Sequence, residues 1–126
     1  MTSEDSAYAR FRRALEALNP HWASTTALEL RHVGLADAVE LTLIYLAKEP
    51  ARYERAALRL HARLTVDLRL GLRDSPAVLS LLTALHGRRA HEAAHALASF
   101  LPLNQTLLSA STVLREWAEE QIRRRG

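Results

Sequence analysis

Residues 35–47 read LADAVELTLIYLA, and their pattern decides the fold. On a helix of 3.6 residues per turn, Ala36, Val39, Leu43 and Leu46 form one stripe. Leu41, Ile44 and Tyr45 fill much of the remaining circumference, which leaves mainly Asp37, Glu40 and Lys48 polar. A helix apolar on most sides needs cover on more than one of them, so this segment is expected to be the central helix. Asp37 and Glu40 stand three residues apart on one face. Paired acids in such a place can bind metal or move a proton. A charge drawn into a helical core needs a partner, however, and the expectation is ion pairing with Arg31 or with the arginines of the following helix.

Outward from this segment, helical spacing recurs between proline and glycine stops. Downstream, Pro50 suits the first turn of a helix, where its missing N–H removes no hydrogen bond, and Tyr53, Ala57, Leu60, Leu64 and Leu68 recur along one face. Gly71 and Asp74-Ser75-Pro76 read as a stop, a cap and a new start for a helix carrying Val78, Leu81, Leu82 and Leu85 as far as Gly87. A helix over residues 88–101 turns Ala90, Ala93, Ala94, Leu97 and Leu101 inward and ends at Pro102. The last helix starts near Asn104 and places Leu107, Ala110, Leu114, Trp117 and Ala118 on one face. It is expected to fray into a basic tail over residues 123–126.

Upstream, Ser3, Asp5 and Ser6 are N-cap candidates for a first helix with Tyr8, Phe11, Ala14, Leu15 and Leu18 inward. Arg12, Arg13 and Glu16 fall on its water face, and Asn19-Pro20 ends it. A short helix over residues 26–32, capped by Ser24 or Thr25 and closed by Gly34, completes the set. No strand is required anywhere. The chain is thus an all-α single domain, residues 1–126, of six to seven helices packed as antiparallel hairpins, the best defined spanning residues 36–70 and 76–101. In architecture this resembles a short HEAT-like or armadillo-like stack, with a closed irregular bundle as the alternative.

Composition agrees with one folded domain: 126 residues, 48% hydrophobic and 25% charged. With no cysteine, a disulfide framework, a thiolate zinc site and a cysteine nucleophile are all excluded. Residues 1–8 lack the apolar run of a signal peptide, and the most membrane-like run, residues 41–47, is far shorter than the roughly 20 residues of a spanning helix, so the location is read as cytoplasmic. The net charge is +3, and Lys48 is the single lysine. Coding-sequence composition explains that arginine bias as well as any function does.

His91-Glu92-Ala93-Ala94-His95 places two imidazoles one helical turn apart with a glutamate between them. This string resembles the zincin metallopeptidase motif, which implies zinc on His91 and His95, with Glu92 as general base. His86, or Glu116, Glu119 or Glu120, is then the candidate third ligand. Two readings run the other way. A zincin site implies a substrate-binding strand beside the motif, and the helical wheel sets His91 and His95 on the flank with Glu92 nearly opposite the core.

Arg52, Arg55, Arg59 and Arg63 form a row opposite the apolar face of their helix. With Arg12, Arg13, Arg88, Arg89 and the terminal triplet Arg123, Arg124 and Arg125 they suggest a phosphate-binding surface, but no aromatic residues interleave with them for base stacking, and nearby acids dilute the field. Trp22, in the connection over residues 20–24 beside His21, is the one aromatic read as an end cover or a partner anchor. The leading expectation is therefore a non-enzymatic helical interaction module that binds another protein or its own copy as a homodimer, needs no cofactor, and uses Trp22 and the row Arg52, Arg55, Arg59 and Arg63. Zinc binding or zinc hydrolysis at His86, His91, Glu92 and His95 is the first alternative, and arginine-mediated nucleic-acid binding the second.

Overall fold

A computed structural model describes residues 3–101 and 105–125, apart from the side chains of residues 4 and 105–108. Its helices are α1 (Ser3–Glu16), α2 (Pro20–Ala27), α3 (Leu35–Lys48), α4 (Tyr53–Asp67), α5 (Asp74–Ala84), α6 (Ala90–Ser99) and α7 (Gln105–Arg125). A 3₁₀ turn, Pro50–Arg52, leads into α4. Among the described residues there is no strand, and no helix is long and apolar enough to cross a membrane. The expected stop at Pro102 and start at Asn104 lie outside the described residues, as does the side chain of Leu107.

Helix α3 is central, as its two-sided apolar pattern requires. Leu35, Val39 and Leu43 enter a large core with residues of α4 to α7, among them Tyr53, Leu60, Leu64, Val78, Leu82, Leu97 and Leu114. Ile44 points into a second, smaller core made with Phe11, Ala14, Leu15 and Ala23 of α1 and α2. Helix α7 packs on α6 and returns to lie against α3. In a solenoid each unit touches only its neighbours, so this return contact makes the protein a closed bundle and not an open stack.

The punctuation corrects the sequence reading in four places. Asn19-Pro20 both ends α1 and starts α2: the Asn19 side chain accepts the Trp22 backbone N–H at 2.9 Å as N-cap, and Pro20 takes the first position, where it loses no hydrogen bond. Helix α2 therefore covers Pro20–Ala27 instead of residues 26–32, and Trp22 sits within it, not in a connection. Ser24 and Thr25 are not caps, because both hydroxyls bond back to the His21 carbonyl. Gly34 closes no helix; it is the N-cap of α3.

The second correction concerns Asp74. It lies inside the first turn of α5, where its charge suits the helix dipole, and makes no side-chain cap. Third, Arg123–Arg125 are helical, with Arg123 and Arg124 holding Glu120 and Arg125 reaching the Gly87 carbonyl. Those contacts, the Arg123 hydrogen bond first, hold the Glu120 carboxyl below its ordinary range.

Fourth, α4 is stopped by Arg69 and not by Gly71. Arg69 adopts φ 53°, and the Leu70 N–H bonds to the Thr65 carbonyl at 3.0 Å, which closes a left-handed terminal turn usually given to glycine. A β-carbon in that conformation costs about 1–2 kcal/mol, while glycine loses about 0.4–1 kcal/mol through the unfolded chain. Arg69→Gly is thus expected to raise stability by up to about 1 kcal/mol in urea unfolding, and Arg69→Ala, which keeps the β-carbon, to gain nothing. Equal stability of the glycine and alanine variants would refute the strain argument.

Candidate functional site

The arginine row of α4 divides in the folded chain. Tyr53, Ala56, Ala57, Leu60 and Leu64 are buried, and Arg52, Arg55 and Arg59 point to solvent on the opposite side. Arg63 turns away from them, bonds to Asp67 at 3.3 Å and faces His32 Nε2 at 3.3 Å. Arg52 pairs with Glu49 at 3.2 Å. Arg55 and Arg59 carry no ion pair or hydrogen bond among the described residues. With Arg52, Tyr45, Ala51 and Glu54 they line a concavity of about 550 Å³.

Beside it lies a groove of about 520 Å³ between α4 and α5, lined by Pro50, Ala51, Tyr53, Ala57, Leu58, Leu79 and Leu82, with Glu54, Thr83 and His86 as its polar members. Ala51 and Glu54 line both hollows, which makes them adjoining. The buried Tyr53 hydroxyl fixes the groove by donating to the Leu82 carbonyl at 2.6 Å. That carbonyl belongs to the last turn of α5, where no helical N–H is left to meet it. The His86 ring stands edge-on to Tyr53, centroids 4.6 Å apart.

Leu58 is 51% exposed on the groove, and Val66 and Leu72 are 73% and 98% exposed. The sequence reading missed this face. The signal was present: Leu58, Ala62 and Val66 recur at i, i+4 and i+8 as a second row away from Leu60 and Leu64.

The histidines do not converge. His86 is on Tyr53 in the groove. His91, half-buried on α6, has its Nε2 3.8 Å from Glu92, and its buried Nδ1 meets no partner among the described residues. Glu92 is itself held by Arg89. His95 is exposed, with Nε2 3.9 Å from Glu119 on α7. Among the described residues, no three His, Asp or Glu side chains gather as a metal-ligand set.

Asp37 and Glu40 are ion-paired, but through Arg12, which the helical wheel had assigned to water. One guanidinium nitrogen of Arg12 lies 2.9 Å from Asp37 and 2.8 Å from Glu40, and the Tyr8 hydroxyl donates to Asp37 at 3.0 Å. Burial works against the Arg12 charge, yet the bonds to Glu40 and Asp37 outweigh it and strengthen its hold on its proton. Burial, then the Asp37 bond, pushes the Tyr8 phenol above its ordinary value. This network edges a cleft of about 860 Å³ that also includes His32, Arg63 and Asp67. Most of its charges already face one another, so it serves as a strut joining α1 to α3.

A histidine and a serine also meet, at His61 and Ser75. His61 Nε2 is 2.8 Å from the Ser75 carbonyl oxygen and 3.1 Å from its hydroxyl. A carbonyl only accepts, so Nε2 carries the proton and cannot take one from Ser75. The pair ties α4 to the start of α5 and is not a nucleophile with its base. Trp22, 39% exposed, stands on α2, which packs on α1 and α3 and not on the α4–α5 face. Compared with known proteins, the chain matches no family model, no curated protein and no solved structure.

Proposed function

We propose that this chain is a non-enzymatic helical protein–protein interaction module whose docking surface is the α4–α5 groove. The carrying observation is the conjunction of that groove with Leu58 exposed at its side and Arg55 and Arg59, unpaired among the described residues, in the adjoining hollow. Apolar side chains left facing water next to a formed groove gain about 25 cal/mol for each Å² that a partner covers. The zinc reading draws less support, since His86 is engaged with Tyr53 and Glu92 with Arg89. The nucleic-acid reading lacks exposed aromatic residues beside the arginines, Tyr45 being buried.

The test is site-specific photo-crosslinking in extract of the native cell. A photoreactive residue at Leu58 or Leu79 is expected to give one discrete protein adduct, and one at the exposed Arg13 of α1 to give none. Leu58→Asp should weaken recovery of the same protein by about tenfold while the circular dichroism stays helical. Adducts spread equally over both faces would defeat the proposal. So would stoichiometric zinc, in protein purified without a histidine tag, that disappears in His95→Ala.

A further inference from the structure

We infer that the occupant of the α4–α5 groove is an acidic amphipathic helix from another protein, its apolar side chains in the groove and its carboxylates on Arg55 and Arg59. The inference rests on the docking surface proposed above and names the chemistry of what it receives.

The form of the occupant follows from the walls. Two helices flank the groove as a trough, and beside Tyr53, Glu54, Thr83 and His86 its lining is aliphatic: Ala51, Ala57, Leu58, Leu79 and Leu82. Among the described residues there is no strand, so an extended peptide finds no sheet edge on which to pair its backbone. Proline-rich ligands need exposed aromatic rings, and the groove's one tyrosine, Tyr53, is 2% exposed with its hydroxyl already committed to Leu82. A helix satisfies its own backbone and offers apolar side chains at i, i+3, i+4 and i+7, which is what an aliphatic trough accepts.

The charge of the occupant follows from the arginines. Several arginines elsewhere in the fold meet carboxylate: Arg10 with Glu29, Arg12 with Asp37 and Glu40, Arg63 with Asp67, Arg89 with Glu92. Arg13, Arg73 and Arg88 show no such pair among the described residues, and what sets Arg55 and Arg59 apart is that they line one hollow together beside the groove. On α4, Arg55 and Arg59 stand one turn apart, so like charges are stacked where opposite charges would stabilise the helix. Both open into the hollow that shares Ala51 and Glu54 with the groove. A helix lying in the trough with carboxylates on one flank meets them, and the planar guanidinium favours paired carboxylate contacts. Nucleic acid would engage the arginines but leave the aliphatic trough uncovered.

Fluorescence anisotropy tests this with three labelled probes: an amphipathic helix of about 16 residues with leucine at i, i+3, i+4 and i+7 and glutamate on its flank, the same helix with lysine for glutamate, and a single-stranded oligonucleotide of about 16 nucleotides. The glutamate helix is expected to bind at least about tenfold tighter than the lysine helix, and Arg55→Glu/Arg59→Glu to reverse that order. Arg55→Gln/Arg59→Gln, which removes charge without adding any, should erase the preference and leave residual binding that Leu58→Asp abolishes.

Equal affinity for both helices, or tighter binding of the oligonucleotide, overturns the acidic assignment. Binding of neither helix overturns it as well. The crosslinks from Leu58 decide the docking surface separately, because they do not depend on which helix is supplied.

Discussion

Phe11→Ala is expected to lower the free energy of unfolding by about 3–5 kcal/mol, the largest single loss in α1 and α2. Phe11 is fully buried at the centre of the smaller core, against Ala14, Leu15, Ala23 and Ile44. Ala27, Leu30, Val33 and Leu41 surround that cluster but are only partly buried, so few aliphatic groups are free to collapse into the space left by the ring. The other described ties from α1 to α3 are the Arg12 bridge to Asp37 and Glu40 and the Tyr8 bond to Asp37, all partly exposed and individually modest. The loss should therefore fall unevenly. Amides of α1 and α2 should exchange hydrogen faster, while those of α5 and α6, in the other core, keep their protection. Urea unfolding followed by circular dichroism, together with exchange measured by mass spectrometry, checks both halves. A loss under about 1 kcal/mol would refute the tight packing of Phe11, and uniform acceleration across all helices would mean that the two cores are one cooperative unit.

That division was legible in residues 35–47. A helix apolar nearly all round must be buried from two directions, and Leu43 and Ile44, adjacent in sequence, do enter different cores. Other features could not be read locally. Asn19-Pro20 carries equal meaning as an end and as a beginning, and which applies depends on the backbone turn at Leu18, where φ is 56°. A second left-handed residue, Arg69, terminates α4 although a glycine stands two positions on. Arg12 looked like a surface charge since its partners are 25 and 28 residues away.

The candidate site was half legible. The row Arg52, Arg55 and Arg59 was visible as a pattern. The hollow they line forms against Tyr45 of α3, and the groove beside it exists only once α5 is laid beside α4. Leu58 and Val66 went unnoticed because apolar residues on an amphipathic helix are first assigned to the core. The histidine pattern shows the opposite error. Spacing placed His86 near His91 along the chain, but the turn after α5 sends its ring to Tyr53.

Tyr53 links that groove to the stability of the whole, and its removal carries the second large effect. Tyr53→Phe deletes the hydrogen bond to the Leu82 carbonyl and leaves a buried acceptor in the last turn of α5 without a donor, at a cost of about 1–3 kcal/mol near neutral pH. A separate effect appears in alkali. Burial raises the Tyr53 phenol well above its ordinary value of 10, so the folded chain keeps a proton that the unfolded chain releases. Stability from this group is fully present below pH 10 and is lost as pH rises beyond it, by up to about 1.4 kcal/mol for each pH unit. Tyr8, shifted in the same direction by burial and by Asp37, adds to the slope. Arginine stays charged throughout this range, so the phenols dominate. Urea midpoints between about pH 9 and pH 11.5 should fall steeply for the native sequence and less steeply for Tyr53→Phe, which starts lower and converges on it. Parallel curves for the two proteins would show that the Tyr53 proton is not held by the fold, and with it would go the claim that this hydroxyl closes the end of α5 and floors the groove.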